Sequence, residues 1–97
     1  MLFAIIANDK DPGGLQIRES TREAHLDYVK ELAGKVKLAG PLMSDDGSYP
    51  NGTILVIDAE DLSDARSIAL NDPYAKADLF ETVAVRAWNW TVGNPEN

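Results

Sequence analysis

Two residues could form an acid–base pair, although they lie far apart in the sequence. His25 is the one histidine of the chain, and imidazole gains and loses a proton near neutral pH. Asp72 precedes Pro73, an arrangement typical of a helix cap followed by proline at the first helical position. Backbone donors and the helix dipole keep such a carboxylate ionised, so it could orient a nearby imidazole. Each residue also has a structural interpretation, His25 as a core histidine with one hydrogen bond and Asp72 as a cap.

Other chemistries have less support. The sequence contains no cysteine, so it cannot form a disulfide, a thiolate nucleophile or a zinc–thiolate centre. One histidine falls short of the usual catalytic zinc set, and Asp45 and Asp46 are typical of a solvated loop. Gly13 and Gly14 alone are too little for a phosphate-binding glycine motif. We therefore expect neither a metal nor a cofactor.

The charge balance restricts the partners. There are 16 acidic and 9 basic residues, which gives a formal net charge of −7. Nucleic-acid binders need a basic stripe and anionic membranes attract basic segments, so we expect neither as a partner. No signal segment opens the sequence, and no apolar run approaches the roughly 18 residues of a transmembrane helix. We therefore expect a cytoplasmic protein.

Apolar runs separated by turn-forming residues predict four strands and two helices. The first helix is expected to begin near Ser20, which has capping-box spacing to Glu23, and to end at Gly34. Asp61 or Ser63 is expected to cap the second helix. The predicted strands are residues 2–7, 36–43, 53–57 and 82–90.

The order βαββαβ predicts a single ferredoxin-like α+β domain over residues 1–97. Both helices would cover one face of an antiparallel sheet, and in a monomer the other face would be polar. The sequence departs from that pattern, because Leu2, Ala4 and Ile6 share one face while the alternate residues of the same strand are also apolar. Since a bare apolar face would form a large exposed patch, this pattern predicts a homodimer with the two sheets packed face to face.

Four short motifs lie in a characteristic order along the chain. They are Arg22-Glu23-Ala24-His25-Leu26, Ala39-Gly40-Pro41, Gly52-Thr53 and Asn71-Asp72-Pro73-Tyr74. Together they resemble the YciI-like (YCII-related) family. The resemblance implies a ferredoxin-like, dimeric α+β barrel with a histidine–aspartate pair, at the positions of His25 and Asp72, in a pocket suited to acid–base chemistry. The sequence departs from many members at Glu23, where they have proline, and in a shorter loop before the third strand than some members have.

These observations lead to the hypothesis of a small, cofactor-free enzyme that performs lyase- or isomerase-like acid–base chemistry on a small organic acid. His25 would act as general base or acid, and Asp72 would orient it. Arg22 could pair with a substrate carboxylate, or it could pair with an acidic residue on the protein surface. The resemblance and the predicted loop place the remaining substrate-binding residues at the pocket mouth: Gly40, Pro41, Leu42, Met43, Ser44 and Tyr74.

Two other interpretations stay open. The chain could be a non-catalytic small-molecule-binding or regulatory protein, because barrel dimers offer apolar pockets that need no chemistry. It could instead resemble monooxygenases that act on aromatic substrates with oxygen, since those enzymes share the architecture. Fold alone does not decide among the three, but oxygen-dependent turnover or binding without turnover would.

Overall fold

A computed structural model describes residues 1–96, and Asn97, the last residue of the predicted domain, lies outside the described residues. Within that range the chain forms four strands, three helices and one short 3-10 turn. The strands coincide with the apolar, β-branched runs, since such side chains pack well on a pleated surface. The elements are β1 (Leu2–Asp9), α1 (Gly14–Leu32), the 3-10 turn (Ala33–Lys35), β2 (Val36–Met43), β3 (Pro50–Asp58), α2 (Leu62–Asn71), α3 (Pro73–Lys76) and β4 (Phe80–Trp88).

The first helix begins well before the predicted start, at Gly14 rather than near Ser20. Gly13 caps it with a φ of 97°, which glycine adopts at no steric cost. A β-carbon on Gly14 would lie only 3.1 Å from Cβ of Asp9, so the helix starts against β1. The hydroxyl of Ser20 donates to the carbonyl of Ile17 at 3.1 Å inside the helix and caps nothing. The added turns carry further polar side chains onto the helix that holds the histidine.

The other helix ends follow local backbone chemistry. α1 ends at Leu32, and Ala33 rather than Gly34 takes the positive φ, at 50°. Asp61, one of the two predicted caps, begins α2 by accepting the backbone N–H three residues further on at 2.8 Å. No helix within residues 1–96 is both long and apolar enough to span a membrane.

The strands form one antiparallel sheet in the order β2-β3-β1-β4. This confirms the α+β class and the ferredoxin-like βαββαβ order. In the centre of the sheet Ile5 lies between Leu55 and Val85. β3 begins earlier than predicted, at Pro50, and β4 covers Phe80–Trp88 rather than 82–90. The boundaries shift because strand ladders continue wherever backbone groups find partners, beyond the apolar run itself.

The helices cover one face of this sheet, and the hydrophobic core lies between the helices and that face. Burying a large apolar side chain contributes roughly 1.5–3 kcal/mol, so this layer supplies much of the stability. The hydroxyl of Tyr28 on α1 donates to the carbonyl of Ile68 on α2 at 2.8 Å and joins the two helices. The buried core cluster is Phe3, Ile5, Leu55, Ile57, Ala59, Ala65, Ile68 and Ala69.

The opposite face of the sheet has no covering element among residues 1–96. Ile6 is 40% exposed, Leu38 45%, Ile54 36% and Trp88 38%. These side chains come from all four strands and project from the face that the helices leave open. The apolar pattern on both faces, inferred from the sequence, is therefore present, and one face meets water in the isolated chain.

Candidate active site

A cavity of about 310 Å³ lies between α1 and the part of the sheet that β2 and β3 form. Most of its wall is apolar and a few polar groups converge on it, which is the usual composition of a small-molecule pocket. The polar side chains in the wall are Arg18, Glu19, Arg22, His25, Thr53 and Tyr74.

The structure brings together the two residues that the sequence singled out. His25 projects from α1 and Asp72 lies between α2 and α3, and they are 8% and 4% exposed. Nδ1 of His25 lies 2.9 Å from Oδ1 and 3.0 Å from Oδ2 of Asp72. An ionised carboxylate can only accept, so in this arrangement Nδ1 carries the hydrogen. Nε2 is then the ring nitrogen with a free lone pair, and it makes no hydrogen bond within residues 1–96.

Asp72 is a helix cap and a histidine partner at the same time. Its Oδ1 accepts the backbone N–H of Tyr74 at 2.9 Å, and Pro73 occupies the first turn of α3, as the sequence predicts. The cap fixes the carboxylate relative to the backbone. The structural and functional interpretations of Asp72 are therefore compatible, because one carboxylate serves both.

Tyr74 forms the side of the site next to the histidine. Its ring stacks on the His25 imidazole with 4.1 Å between centroids and 15° between planes, and it also meets Phe80 edge to face at 6.2 Å. Tyr74 is 2% exposed. Burial raises the pKa of the Tyr74 phenol, although the charge of Arg18 opposes that rise. The stack holds the imidazole in one orientation, and the phenol stays in its neutral form.

A second ionic group lies in the same cavity wall, and sequence reasoning missed it. Arg18 is 5% exposed and donates from Nε and Nη2 to the two carboxylate oxygens of Asp9, at 2.7 and 2.9 Å. Nη2 also donates to Oγ1 of Thr53 at 2.8 Å, and Cζ lies 4.6 Å from the Tyr74 ring centroid. Burial lowers the pKa of Arg18, but the hydrogen bonds and charges of Asp9 and Tyr74 together outweigh it and leave that pKa raised.

A sequence signal for Arg18 does exist. With the helix extended back to Gly14, Arg18 stands four residues before Arg22 and seven before His25. Residues at these spacings share one helix face. The predicted start near Ser20 removed Arg18 from the helix and hid the pattern.

The structure brings some of the predicted substrate-binding residues to the cavity and not others. Arg22 lines it and is exposed, and Gly40, Pro41 and Tyr74 also line it. Leu42, Met43 and Ser44 are not in its wall. Alternation along β2 turns Leu42 to the other face, toward Gly52. Met43 is 45% exposed, and the Ser44 hydroxyl donates to Asp46 at 2.8 Å within the β2–β3 loop.

Within residues 1–96 no cluster of three or more histidine, aspartate or glutamate side chains is arranged to hold a metal ion. The carboxylates of Asp9 and Asp72 are already bonded to Arg18 and His25. The buried basic groups in this wall are one imidazole with a free nitrogen and the Arg18 guanidinium, each held by a carboxylate. Such a pair of groups can move a proton at one point and bind an oxygen at another.

Comparison with known proteins gives both sequence and structural relatives. The family model of the YCII-related domain matches residues 1–89. Protein YciI of Escherichia coli is 34% identical over 93 residues, covering 89% of this chain and 94% of that protein. An uncharacterised protein of Haemophilus influenzae is 32% identical over 93 residues, with the same coverage.

Among solved structures, the 5-chloro-2-hydroxyhydroquinone dehydrochlorinase TftG of Burkholderia phenoliruptrix, in complex with 2,5-dihydroxybenzoquinone, is similar along nearly the whole chain. It is 35% identical, with a TM-score of 0.83, and the match covers 92% of this chain and 94% of TftG. A proposed antibiotic biosynthesis monooxygenase of Nitrosomonas europaea is 18% identical with a TM-score of 0.52, covering 93% and 100%. That second likeness extends to the fold alone.

Proposed function

Because this chain belongs to the YCII-related family, we propose that it is a small enzyme that performs lyase- or isomerase-like acid–base chemistry without a cofactor. One observation carries the proposal. His25, in the wall of a cavity, is held through Nδ1 by both oxygens of Asp72 at 2.9 and 3.0 Å. A histidine fixed in this way presents Nε2 as a base, and the carboxylate stabilises the imidazolium that forms when Nε2 takes a proton.

The proton transfer needs no other group to begin. Nε2 removes a proton from an acidic hydroxyl or C–H group of the substrate, and the electron pair left behind shifts into the conjugated system. In a lyase reaction that pair expels a leaving group, and in an isomerase reaction the imidazolium returns the proton to another atom. Asp72 keeps its place in both cases because it also caps α3.

The substrate proposed is a small organic acid, in which we include acidic phenols. A cavity of about 310 Å³ is at the lower end of the range of roughly 300–1,000 Å³ for ligand pockets, so it suits a ligand of about one ring. TftG, which is 35% identical, carries 2,5-dihydroxybenzoquinone in its structure and dehydrochlorinates a hydroxylated ring. For such a ring the step balances if the imidazolium first returns the hydroxyl proton to the chlorine-bearing carbon, which gives a keto tautomer. Removal of a second hydroxyl proton then expels chloride through the intervening C=C bond, so two hydroxyl protons are lost, one C–H bond forms, and the net loss is one proton and one chloride.

The experiment is anaerobic incubation of the protein with 5-chloro-2-hydroxyhydroquinone, then with a panel of hydroxylated rings and small organic acids. We expect protein-dependent release of chloride from the chlorinated ring, or rearrangement of a panel member, at a rate that oxygen does not change. A rate that requires oxygen would instead favour the monooxygenase-like alternative. Calorimetric binding of panel members with no turnover of any would contradict the enzyme and favour a binding module.

We also propose that the working form is a homodimer. The support is the apolar sheet face on which Ile6, Leu38, Ile54 and Trp88 are 36–45% exposed, since packing two such faces together would remove this patch from water. Sedimentation equilibrium at micromolar concentration should give about twice the chain mass. Ile54→Lys should shift the protein toward a monomer, whereas Leu70→Lys, at a position 69% exposed on α2, should not. A folded wild-type monomer would contradict the dimer.

A further inference from the structure

Arg18 is a buried guanidinium whose hydrogen bonds leave one nitrogen unused. Nε and Nη2 together make three hydrogen bonds, two to Asp9 and one to Thr53, at 2.7–2.9 Å. A guanidinium has five N–H donors, and the two on Nη1 make no well-aligned hydrogen bond within residues 1–96, although the Tyr74 phenol lies near enough to interact with the guanidinium. Yet no fully buried side-chain nitrogen or oxygen in that range lacks a partner. Nη1 is therefore accessible, and the space that Arg18 lines is the His25 cavity.

Arg18 and the candidate base line the same cavity. Arg18 and His25 are about two turns apart on one face of α1. Both contact the same side chain, because Cζ of Arg18 lies 4.6 Å and the imidazole centroid 4.1 Å from the centre of the Tyr74 ring. Both residues line one cavity, so a ligand that fills it from Nε2 of His25 toward the N-terminal part of α1 also meets Arg18.

The partners of Arg18 decide which chemical group it would bind best. Asp9 already balances its charge, since the two side chains are 7% and 3% exposed and form a bidentate pair. A neutral pair attracts a permanent carboxylate less strongly than a free arginine does. Its fixed, aimed N–H groups are better suited to an oxygen that gains negative charge during the reaction, because they do not need to reorganise.

We propose that Arg18 binds, through Nη1, a substrate oxygen that becomes phenolate- or enolate-like as His25 removes a proton. The inference rests on the proposed function and deepens it. It assigns the substrate to molecules with a hydroxyl or carbonyl oxygen conjugated to the reacting centre, and it makes buried Arg18 rather than exposed Arg22 the principal oxygen ligand.

The direct test is an NMR titration of the wild-type protein with 2,5-dihydroxybenzoquinone, which carries conjugated oxygens, following the side-chain N–H signals of the arginines. We expect the Nη signals of Arg18 to shift in a saturable way. Arg18→Lys keeps the charge but lacks the planar fork, and it should weaken binding of the probe at least tenfold. Arg66→Gln removes an exposed positive charge on α2, and as the matched control it should change the affinity less than twofold.

The outcomes separate this inference from the proposed function. Unshifted Arg18 signals at saturation, or no binding of the probe at millimolar concentration, would overturn the role of Arg18 even if His25-dependent turnover were found. Shifted signals with weakened Arg18→Lys binding would support that role even if the wild type turned over no compound. If Arg18→Lys does not fold, the wild-type titration still tests the role of Arg18. Thr53→Val then replaces it as the variant, because it removes one acceptor from Nη2 and should weaken binding of the probe severalfold.

Discussion

The cavity wall contains two ion-pair geometries that look alike and differ in chemistry. In each, a basic side chain of α1 meets a buried carboxylate from another element, Asp72 for His25 and Asp9 for Arg18. Arginine keeps its proton at any pH in which the protein is folded, whereas histidine exchanges its proton near neutrality. The same geometry therefore gives a fixed charge at one end of the wall and a movable proton at the other.

The two pairs also differ in what the carboxylate is bonded to. Both carboxylate oxygens of Asp9 accept hydrogen bonds from the Arg18 guanidinium. This bidentate pair joins β1 to α1 and makes their junction more rigid. Asp72 divides its bonds between the imidazole and the backbone of α3. The first pair should matter most for folding, and the second for turnover.

The largest effect is expected on turnover at the histidine. His25→Gln retains a polar side chain of similar length but cannot take a proton, and general acid–base catalysis contributes roughly 10²–10⁴-fold in rate. We therefore expect this substitution to lower kcat for any substrate found by a factor within that range, while the circular dichroism spectrum is unchanged. Turnover by His25→Gln at the wild-type rate would show that the two pairs do not differ in the way described.

The next largest effect is expected on stability at the arginine. Asp9→Asn leaves the buried Arg18 charge unbalanced, and breaking a buried pair from one side costs about 3–5 kcal/mol. Urea unfolding should show this loss. Replacing both partners, Asp9→Leu with Arg18→Met, should cost less than the single change, because no buried charge remains. Equal stability of Asp9→Asn and wild type would contradict the structural role of this pair.

A smaller stability difference should appear at Asp72. Asparagine caps helices about as well as aspartate, whereas alanine loses roughly 0.5–2 kcal/mol. Asp72→Ala should therefore unfold at lower urea concentration than Asp72→Asn. The comparison isolates the cap from the charge, and identical midpoints for the two variants would remove the cap from the account.

The smallest effect concerns a carboxylate outside the cavity. The hydroxyl and the backbone N–H of Ser48 both donate to the fully exposed Asp46, and the hydroxyl of Ser44 does so as well. These hydrogen bonds lower the pKa of Asp46 to about 2. The lowered pKa means that the loop contributes stability above the ordinary pKa of 3.8 and loses it as the pH falls toward 2. Ser48→Ala should raise the pKa of Asp46 in an NMR titration, and an unchanged value would contradict this cause. Asp46 and Asp72 both accept several hydrogen bonds, but Asp46 faces solvent whereas Asp72 holds a histidine that lines a cavity. Hydrogen bonds to a carboxylate therefore do not by themselves indicate a functional site.

Much of the fold could be predicted because it depends on local periodicity. The apolar runs identified all four strands, and β2 matches its prediction of residues 36–43. The start of α1 could not be placed in this way, because Gly13 and Gly14 are typical of a turn. The positive φ of Gly13 and the close approach of Gly14 to Asp9 explain why the helix begins there.

The candidate site divides along the same line. Asp72 carried a local signal, the cap before Pro73, and the family motifs named it together with His25. The sequence provided no usable signal for the Arg18 pair, because the predicted helix start near Ser20 left Arg18 outside the helix. Asp9 and Thr53 lie on different strands and meet Arg18 only through tertiary structure. Leu42 falls outside the cavity wall because side chains alternate along β2, and Met43 follows a register shift that the sequence pattern does not reveal.

The most direct test of the central claim is to measure kcat of the Asp72→Asn variant with the first substrate found, together with the stability and oligomeric state of the variant. The account predicts a folded protein of wild-type assembly whose kcat is at least tenfold lower, because the cap remains but the charge that orients and stabilises the His25 imidazolium is gone. A folded Asp72→Asn variant that turns over substrate at the wild-type rate would contradict the proposal and return His25 to the role of a core histidine.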